Sequence, residues 1–280
     1  MNQVRGRIAP TPSGELHLGH AATFLRCQQS IRDQGGELIL RIEDLDQQRC
    51  KPEYVQASID DLKAIGIECD FGPETGGPDA PYIQSQRLDL YRDVWRELYD
   101  KGLIYPCEIS RKQLREAKPR TYENEIIFPV ELRPESGKEV YEDPGEMNWR
   151  FRVPEGCSVS FYDHEMKQEF SFNSNEHFGD FLVWRRDGFP SYELAVVVDD
   201  HKMHISEVVR GQDLLLSTAR QILIYEALGW QIPKFFHCEL LKDEKGERLS
   251  KTVKSLSLRT LINQGQDIKA LLESKGFTFI

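Results

Sequence analysis

Along the N-terminal part of the chain the apolar positions switch between two periods. A partly apolar run from Val4 to Ala9 gives way to Pro10-Thr11-Pro12-Ser13-Gly14, whose prolines and glycine end regular structure, so the pattern predicts a strand and then a loop. Ala21, Phe24, Leu25 and Ile31 then recur at helical spacing until Gly35-Gly36, a helix of about four turns. Leu38 to Ile42 reads as a buried strand, and Val55, Ile59, Leu62 and Ile65 behind Pro52 read as a second amphipathic helix. Strand, helix, strand, helix predicts an α/β fold with a parallel sheet and a ligand crevice at the carboxyl ends of its strands. The loops after Ala9 and Ile42 are both expected to face that crevice.

Residues 86–101 form another predicted helix, with Leu88, Tyr91, Trp95 and Leu98 on one side. From about 103 to 176 the pattern dissolves into Glu, Pro and short aromatic runs such as Trp149-Arg150-Phe151-Arg152-Val153, which predicts a mostly β or irregular insertion. Regular alternation returns at Phe181–Trp184, Glu193–Val198 and His204–Val209, before a helix near Ser217 to Leu228. The expected organisation is therefore a sheet-based unit in two halves, 1–102 and 177–252, an insertion at 103–176 and a short helical tail at 253–280.

Composition fits an ordinary globular chain: of 280 residues 39% are hydrophobic and 29% charged, and no run is long and apolar enough for a membrane span. Met1-Asn2-Gln3-Val4-Arg5 has no signal-peptide character, so a cytoplasmic location is expected. Cys27, Cys50, Cys69, Cys107, Cys157 and Cys238 form no C-x-x-C pair, which argues against a disulfide framework and a self-evident zinc site. The net charge of −10 would repel a phosphate backbone on average, so nucleic-acid contact would need a local basic patch, for which Arg185, Arg186 and Lys202 are candidates.

Two segments carry candidate chemistry. His17-Leu18-Gly19-His20 follows the proline-broken loop at the mouth of a predicted helix, where imidazole N–H groups, backbone amides and the helix dipole can all face an anion. A surface histidine pair has the same spacing. Arg248-Leu249-Ser250-Lys251-Thr252 offers a lysine point charge suited to phosphates, although a basic loop by itself is usually only solvated. Between them, Glu43, Asp44 and Asp46 could by spacing be a magnesium site or a solvated turn.

Together, in this order, the two segments resemble the paired signatures of class I aminoacyl-tRNA synthetases, the His-Ile-Gly-His and Lys-Met-Ser-Lys-Ser types. Arg7-Ile8-Ala9-Pro10-Thr11-Pro12-Ser13-Gly14, Arg41-Ile42-Glu43-Asp44-Leu45-Asp46, Tyr82-Ile83-Gln84-Ser85-Gln86-Arg87 and Val197-Val198-Asp199-Asp200-His201 narrow the resemblance to the glutamyl-tRNA synthetase family. It runs from about residue 4 to 252 and is poor in the insertion. No P-loop or G-x-G-x-x-G motif competes with it.

The resemblance implies a Rossmann-like catalytic domain with an inserted acceptor-binding-type subdomain. It also implies adenylate formation from ATP, with Mg2+, and glutamate, followed by transfer to tRNA. Arg7 and Arg210 match positions that hold the substrate carboxylates and Glu43 the one facing the amino group. Thr11 keeps the hydroxyl of a usual serine, Tyr192 matches a tyrosine contacting the substrate side chain, and Asp213 an acidic residue near the nucleotide. His17, Gly19, His20 and Arg248, Leu249, Ser250 and Lys251 are implied on the ATP side, with His17, His20 and Lys251 catalytic. Without the family, Arg7 could equally pair with Asp44 or Asp46, and Tyr192 could be a core aromatic.

After Thr252 only residues 253–280 follow, which resembles the truncated branch of the family that glutamylates queuosine in the anticodon of tRNA(Asp). His20 departs from that branch, which often has a small residue there. The zinc element of the family is expected to be absent, since Cys107-Glu108-Ile109 keeps one cysteine of a C-x-C pair, Tyr122 matches a tyrosine ligand, and Ile126 stands where a further cysteine would be. A free-standing domain charging a tRNA 3′ end and a non-catalytic tRNA- or protein-binding paralogue remain alternatives. The chain is expected to be a monomer.

Overall fold

A computed structural model describes residues 3–123, 125–134, 140–241 and 257–277. Strands β1 (Arg5–Ile8) and β2 (Glu37–Leu40) pair in parallel, Arg7 opposite Ile39, and helix α1 (Leu18–Arg32) connects them. Gly35, at φ 64°, turns the chain from helix to strand in a left-handed conformation that costs glycine little. Helix α2 (Pro52–Ala64) starts on a proline, whose missing N–H would have been unpaired there anyway, and α3 (Leu88–Asp100) buries Tyr91, Val94, Trp95 and Leu98 as one stripe. No described helix is long and apolar enough to cross a membrane.

The stretch read as β or irregular contains strands and a short helix: β3 (Ile104–Cys107), α4 (Arg111–Glu116), the two-residue β4 (Thr121–Tyr122) and β5 (Glu125–Ile126), β6 (Asn148–Phe151), β7 (Ser158–Asp163) and β8 (Gln168–Asn173). Its strands join neighbours from later in the chain. β6 lies between β3 and β9 (Leu182–Trp184) in an antiparallel sheet. Helix α5 (Tyr192–Lys202), β10 (Glu207–Gly211), α6 (Leu215–Leu228) and β11 (Lys234–Cys238) follow. β10 and β11 are parallel, and the β7–β8 hairpin extends their sheet through the pairing of Asp163 with Phe235. β10 also lies against β1, where the Ser206 N–H donates to the Arg5 carbonyl at 3.0 Å. Two short helices, α7 (Leu258–Asn263) and α8 (Ile268–Glu273), close the described chain.

Glu193–Val198, one of the segments at which alternation returns, is helical. Every residue from Glu193 to Asp200 in α5 is buried, so the stripe that marks a surface helix is missing and the all-round apolar run imitates a strand. One core gathers α3, α5 and α6 with the antiparallel strands; the other gathers β1, β2, α1 and α2 with Leu258, Ile268 and Leu272.

Gly6 sets how closely α1 approaches β1, because a Cβ there would fall 2.5 Å from Ile31 Cγ1. Gly6→Ala is expected to destabilise the fold by about 1–3 kcal/mol through forced repacking of Ile31. Gly14→Ala, with nothing within 4 Å of the added carbon, should leave stability unchanged. Urea unfolding of the two variants checks the contrast.

Candidate active site

A crevice of about 950 Å3 opens where β1 and β10 end. The loop after β1 supplies Ala9, Pro10, Thr11, Ser13 and Gly14 to its wall, the segment after β2 supplies Glu43, the end of β10 supplies Gly211 and the turn after it Asp213. Both loops named from the alternation pattern therefore face it. Arg7, His17, Gly19, His20, Tyr192 and Arg210 also line it, so the expected glutamate-side residues and the first signature share one cavity. Arg248, Leu249, Ser250 and Lys251 lie outside the described residues. Leu241, just before the undescribed stretch 242–256, lines the crevice, and Leu258, just after Ser257, donates its N–H to the Leu16 carbonyl at 2.7 Å.

The histidines begin α1 by capping it. His17 Nδ1 accepts the Gly19 N–H at 3.1 Å, His20 Nδ1 accepts the His17 N–H at 3.2 Å, and the rings stack at 3.7 Å. A nitrogen that accepts an N–H carries no proton of its own, so each neutral ring has its proton on Nε2. The caps fix both tautomers and ring planes at the positive end of the helix dipole.

The cationic side of the crevice rests on α5. Arg7 does not pair with Asp44 or Asp46: its Nε lies 3.1 Å from Asp200 Oδ1, and its Nη1 donates to the Val209 carbonyl at 3.3 Å. Arg41, fully buried, donates from Nη1 to the same Asp200 oxygen at 2.6 Å and from Nη2 to Glu43 at 2.9 Å. Burial alone would raise the Asp200 carboxyl, but Arg7 and Arg41 outweigh it and hold it below the ordinary range. Glu43 goes the other way, since burial outweighs Arg41 and raises its carboxyl. Asp199 takes Arg87 Nε at 2.7 Å, Gln84 at 2.8 Å and the Tyr91 hydroxyl at 2.9 Å. All four of the quoted motifs thus meet in one buried ionic network.

The spacing of Glu43, Asp44 and Asp46 does not make a magnesium cage. Glu43 turns to Arg41, Asp44 accepts the Ser85 N–H at 2.8 Å and its hydroxyl at 2.6 Å, and Asp46 pairs with Arg49. No group of three or more His, Cys, Asp or Glu among the described residues could hold a metal ion. Tyr192 is not a sealed core aromatic: 38% of it is exposed, at the crevice, while burial there pushes its phenol up to about 12 and keeps the hydroxyl protonated. Of the suggested basic patch, Arg185 is committed to Asp187 and the Leu45 carbonyl. Cys107 is buried beside Phe128, Tyr122 meets the His177 ring edge-on, and Ile126 is exposed.

Arg210 is held differently from Arg7. Its Nε points at His237 Nε2 (3.3 Å) and its Nη2 donates to Thr218 Oγ1 at 2.7 Å, while Nη1 is buried without a hydrogen-bond partner among the described residues. A buried donor left unsatisfied is costly, which marks Nη1 as a place for a ligand acceptor. His237 and Thr218 were not foreseen, since neither sits in a motif.

A parallel α/β unit whose first helix opens on a paired-histidine cap beside a carboxylate-and-arginine crevice defines the class I synthetase fold. The family described as tRNA synthetases class I (E and Q), catalytic domain, matches residues 3–275, and the chain belongs to it, a family of ligases. Glutamyl-Q tRNA(Asp) synthetase of Nitratidesulfovibrio vulgaris is 39% identical over 267 residues, 94% of this chain and 82% of that protein. Glutamate–tRNA ligase of Exiguobacterium sibiricum is 40% identical over 291 residues, 98% of this chain but only 57% of the ligase. The crystal structure of glutamate-tRNA synthetase from Elizabethkingia anophelis superimposes with a TM-score of 0.77 at 33% identity, covering 94% of this chain and 54% of that one.

Asp200→Asn removes the carboxylate charge that Arg7 and Arg41 share, leaving buried Arg7 without an ion-pair partner, and a destabilisation of about 3–5 kcal/mol is expected at neutral pH. Because the folded Asp200 carboxyl is depressed, its contribution is complete above the unfolded value of about 3.9 and is lost as pH falls through the folded value. The gap between wild type and variant in denaturant unfolding should therefore narrow below about pH 4. A gap that is constant down to full acid unfolding contradicts this.

Proposed function

We propose that the chain activates glutamate with ATP and passes the glutamyl group to queuosine in the anticodon of tRNA(Asp). The observation that carries the first step is that Arg210, whose Nη1 is buried without a hydrogen-bond partner among the described residues, lines the same crevice as Glu43 and the His17–His20 cap. Glutamate bears two carboxylates and one ammonium. Arg210 and Arg7 would take the carboxylates, Glu43 the ammonium, and Tyr192 and Thr11 would donate hydroxyl hydrogen bonds. One substrate carboxylate oxygen then attacks the α-phosphorus of ATP, an O–P bond forms, and the bond to pyrophosphate breaks with its electron pair leaving on the pyrophosphate. No side-chain nucleophile is required, so positioning and charge stabilisation carry the rate.

His17 and His20, their Nε2–H groups fixed by the caps, would donate toward the phosphates, with Gly19 letting the nucleotide approach the backbone and Asp213 beside it. Lys251, with Arg248, Leu249 and Ser250, would follow the departing pyrophosphate; the crevice position of Leu241 and the tie of Leu258 to Leu16 support that reading. Magnesium would travel with the ATP phosphates and take its oxygen ligands largely from them and from water. A structural zinc is not part of the reading, and metal analysis of chelator-free protein reads that directly.

ATP–pyrophosphate exchange dependent on glutamate tests activation. Lys251→Ala is expected to slow exchange about a hundredfold, roughly 3 kcal/mol, with little change in glutamate KM, since the charge it meets develops only as pyrophosphate leaves. An exchange rate equal to wild type removes Lys251 from the mechanism.

The queuosine acceptor is supported by the name carried by the Nitratidesulfovibrio vulgaris relative. Single-stranded loop bases can be splayed out and read by stacking and edge hydrogen bonds, which suits a modified anticodon base. Labelled glutamate should enter tRNA from queuosine-producing cells and not from cells unable to make it, and should still enter tRNA trimmed of its 3′-terminal adenosine. Labelling that ignores queuosine and vanishes on trimming would establish the second reading, charging of a tRNA 3′ end, which the glutamate–tRNA ligase relatives support.

A further inference from the structure

Behind Arg210 stands a fully buried chain of groups that the proposed chemistry does not use. Asp163 ends β7 and is held by four donors: the His237 ring Nδ1–H at 2.6 Å, the His237 backbone N–H at 3.0 Å, and the N–H groups of Glu165 at 3.0 Å and Met166 at 2.7 Å. His237, on β11, turns its Nε2 to Arg210 Nε at 3.3 Å and to Thr218 Oγ1 at 2.9 Å. We propose that Asp163 and His237 are a positioning pair that fixes the Arg210 guanidinium for a substrate carboxylate. This rests on reading the crevice as a glutamate site.

The argument is one of tautomers. The ring nitrogen facing Asp163 must carry the proton, because a carboxylate so supplied with donors only accepts. The other nitrogen is then a lone pair, which can accept the Arg210 Nε–H and also the Thr218 hydroxyl proton when that proton turns from the Leu214 carbonyl, 3.1 Å away, to the ring. With the opposite tautomer two N–H groups would meet and the guanidinium would be pushed off its place. Burial keeps the ring neutral by lowering its proton affinity, more than Asp163 raises it, and Asp163 itself is kept ionised because His237 and the Met166 N–H overcome its burial. Nε and Nη2 are thus tied back by neutral acceptors, and Nη1 remains for the ligand. Both residues have zero exposure, so neither touches substrate, and the effect passes through Arg210.

Three substitutions separate positioning from mere packing. His237→Gln can place an amide oxygen near the former Nε2 and accept from Arg210; His237→Asn reaches only the former Nδ1 and serves Asp163; His237→Leu serves neither. In ATP–pyrophosphate exchange, glutamate KM should rise about ten- to a hundredfold in the Leu and Asn variants, the range expected when one buried charged hydrogen bond is lost, with ATP KM unchanged. The Gln variant should return to within about threefold of wild type. Crystal structures should show the Arg210 guanidinium displaced in Leu and Asn and retained in Gln. Glutamate KM unaltered in all three, whatever their melting temperatures, overturns the proposal, as does an unmoved guanidinium in the Leu variant. If the wild type shows no exchange with glutamate, the functional reading fails, and the crystal structures alone decide whether His237 positions Arg210.

Discussion

Two adjacent carboxylates on one buried helix organise the crevice. Asp199 and Asp200 stand in α5 where every neighbour from Glu193 onward is buried, so neither charge is tolerable without partners. The partners come from separate parts of the chain: Arg7 from β1, Arg41 from the end of β2, and Gln84, Arg87 and Tyr91 from the start of α3. Each of these contacts draws a different element onto α5. The network thereby fixes where β1 and β2 end, and those ends are the crevice wall. An ion-pair cluster of this kind contributes little net stability compared with an apolar one, so its value lies in defining one arrangement.

Arg41 extends that arrangement to an anion. By sharing itself between Asp200 and Glu43 it makes the orientation of a crevice carboxylate depend on the same helix that orients Arg7. Glu43 nevertheless stays easier to protonate than a free carboxylate, because burial prevails over Arg41 and Arg7. A ligand cation would supply the missing positive charge.

The fold of the first half was legible because its elements are amphipathic or bounded by strong breakers: Pro10 to Gly14, Gly35-Gly36 and Pro52 all fall where elements end or begin. Residues 103–176 were not, because their short strands find partners far away in sequence, β6 with β9 and β7 with β11, and no local period records such pairings. α5 could not be typed from its pattern for the opposite reason, since complete burial removes the polar face that periodicity needs. At the site, family resemblance located Arg7, Glu43, Tyr192 and Arg210, and all line one cavity. The partners of those residues were not legible. The family left Arg7 no protein partner, the alternative open without it was Asp44 or Asp46, and its charge is met by Asp200 on α5; nothing around His237 in the sequence announces a contact with Asp163.

The two crevice arginines are not equivalent, and the difference follows from what holds them. Arg7 leans on an ionised Asp200, so its charge is already largely balanced inside the protein. Arg210 makes its hydrogen bonds to a hydroxyl and a neutral imidazole, and Asp163 reaches it only through the His237 ring. Asp200 and Glu193 act on Arg210 through space without bonding it, and Coulomb energy falls with distance, so less of its charge is met by direct contact than that of Arg7. A chain with net charge −10 can therefore present a locally attractive site without a broad basic surface: it needs one guanidinium whose hydrogen bonds go to neutral groups. The neutral groups cost nothing in competing charge, whereas a direct carboxylate partner would fix Arg210 equally well and leave it a poorer anion receptor.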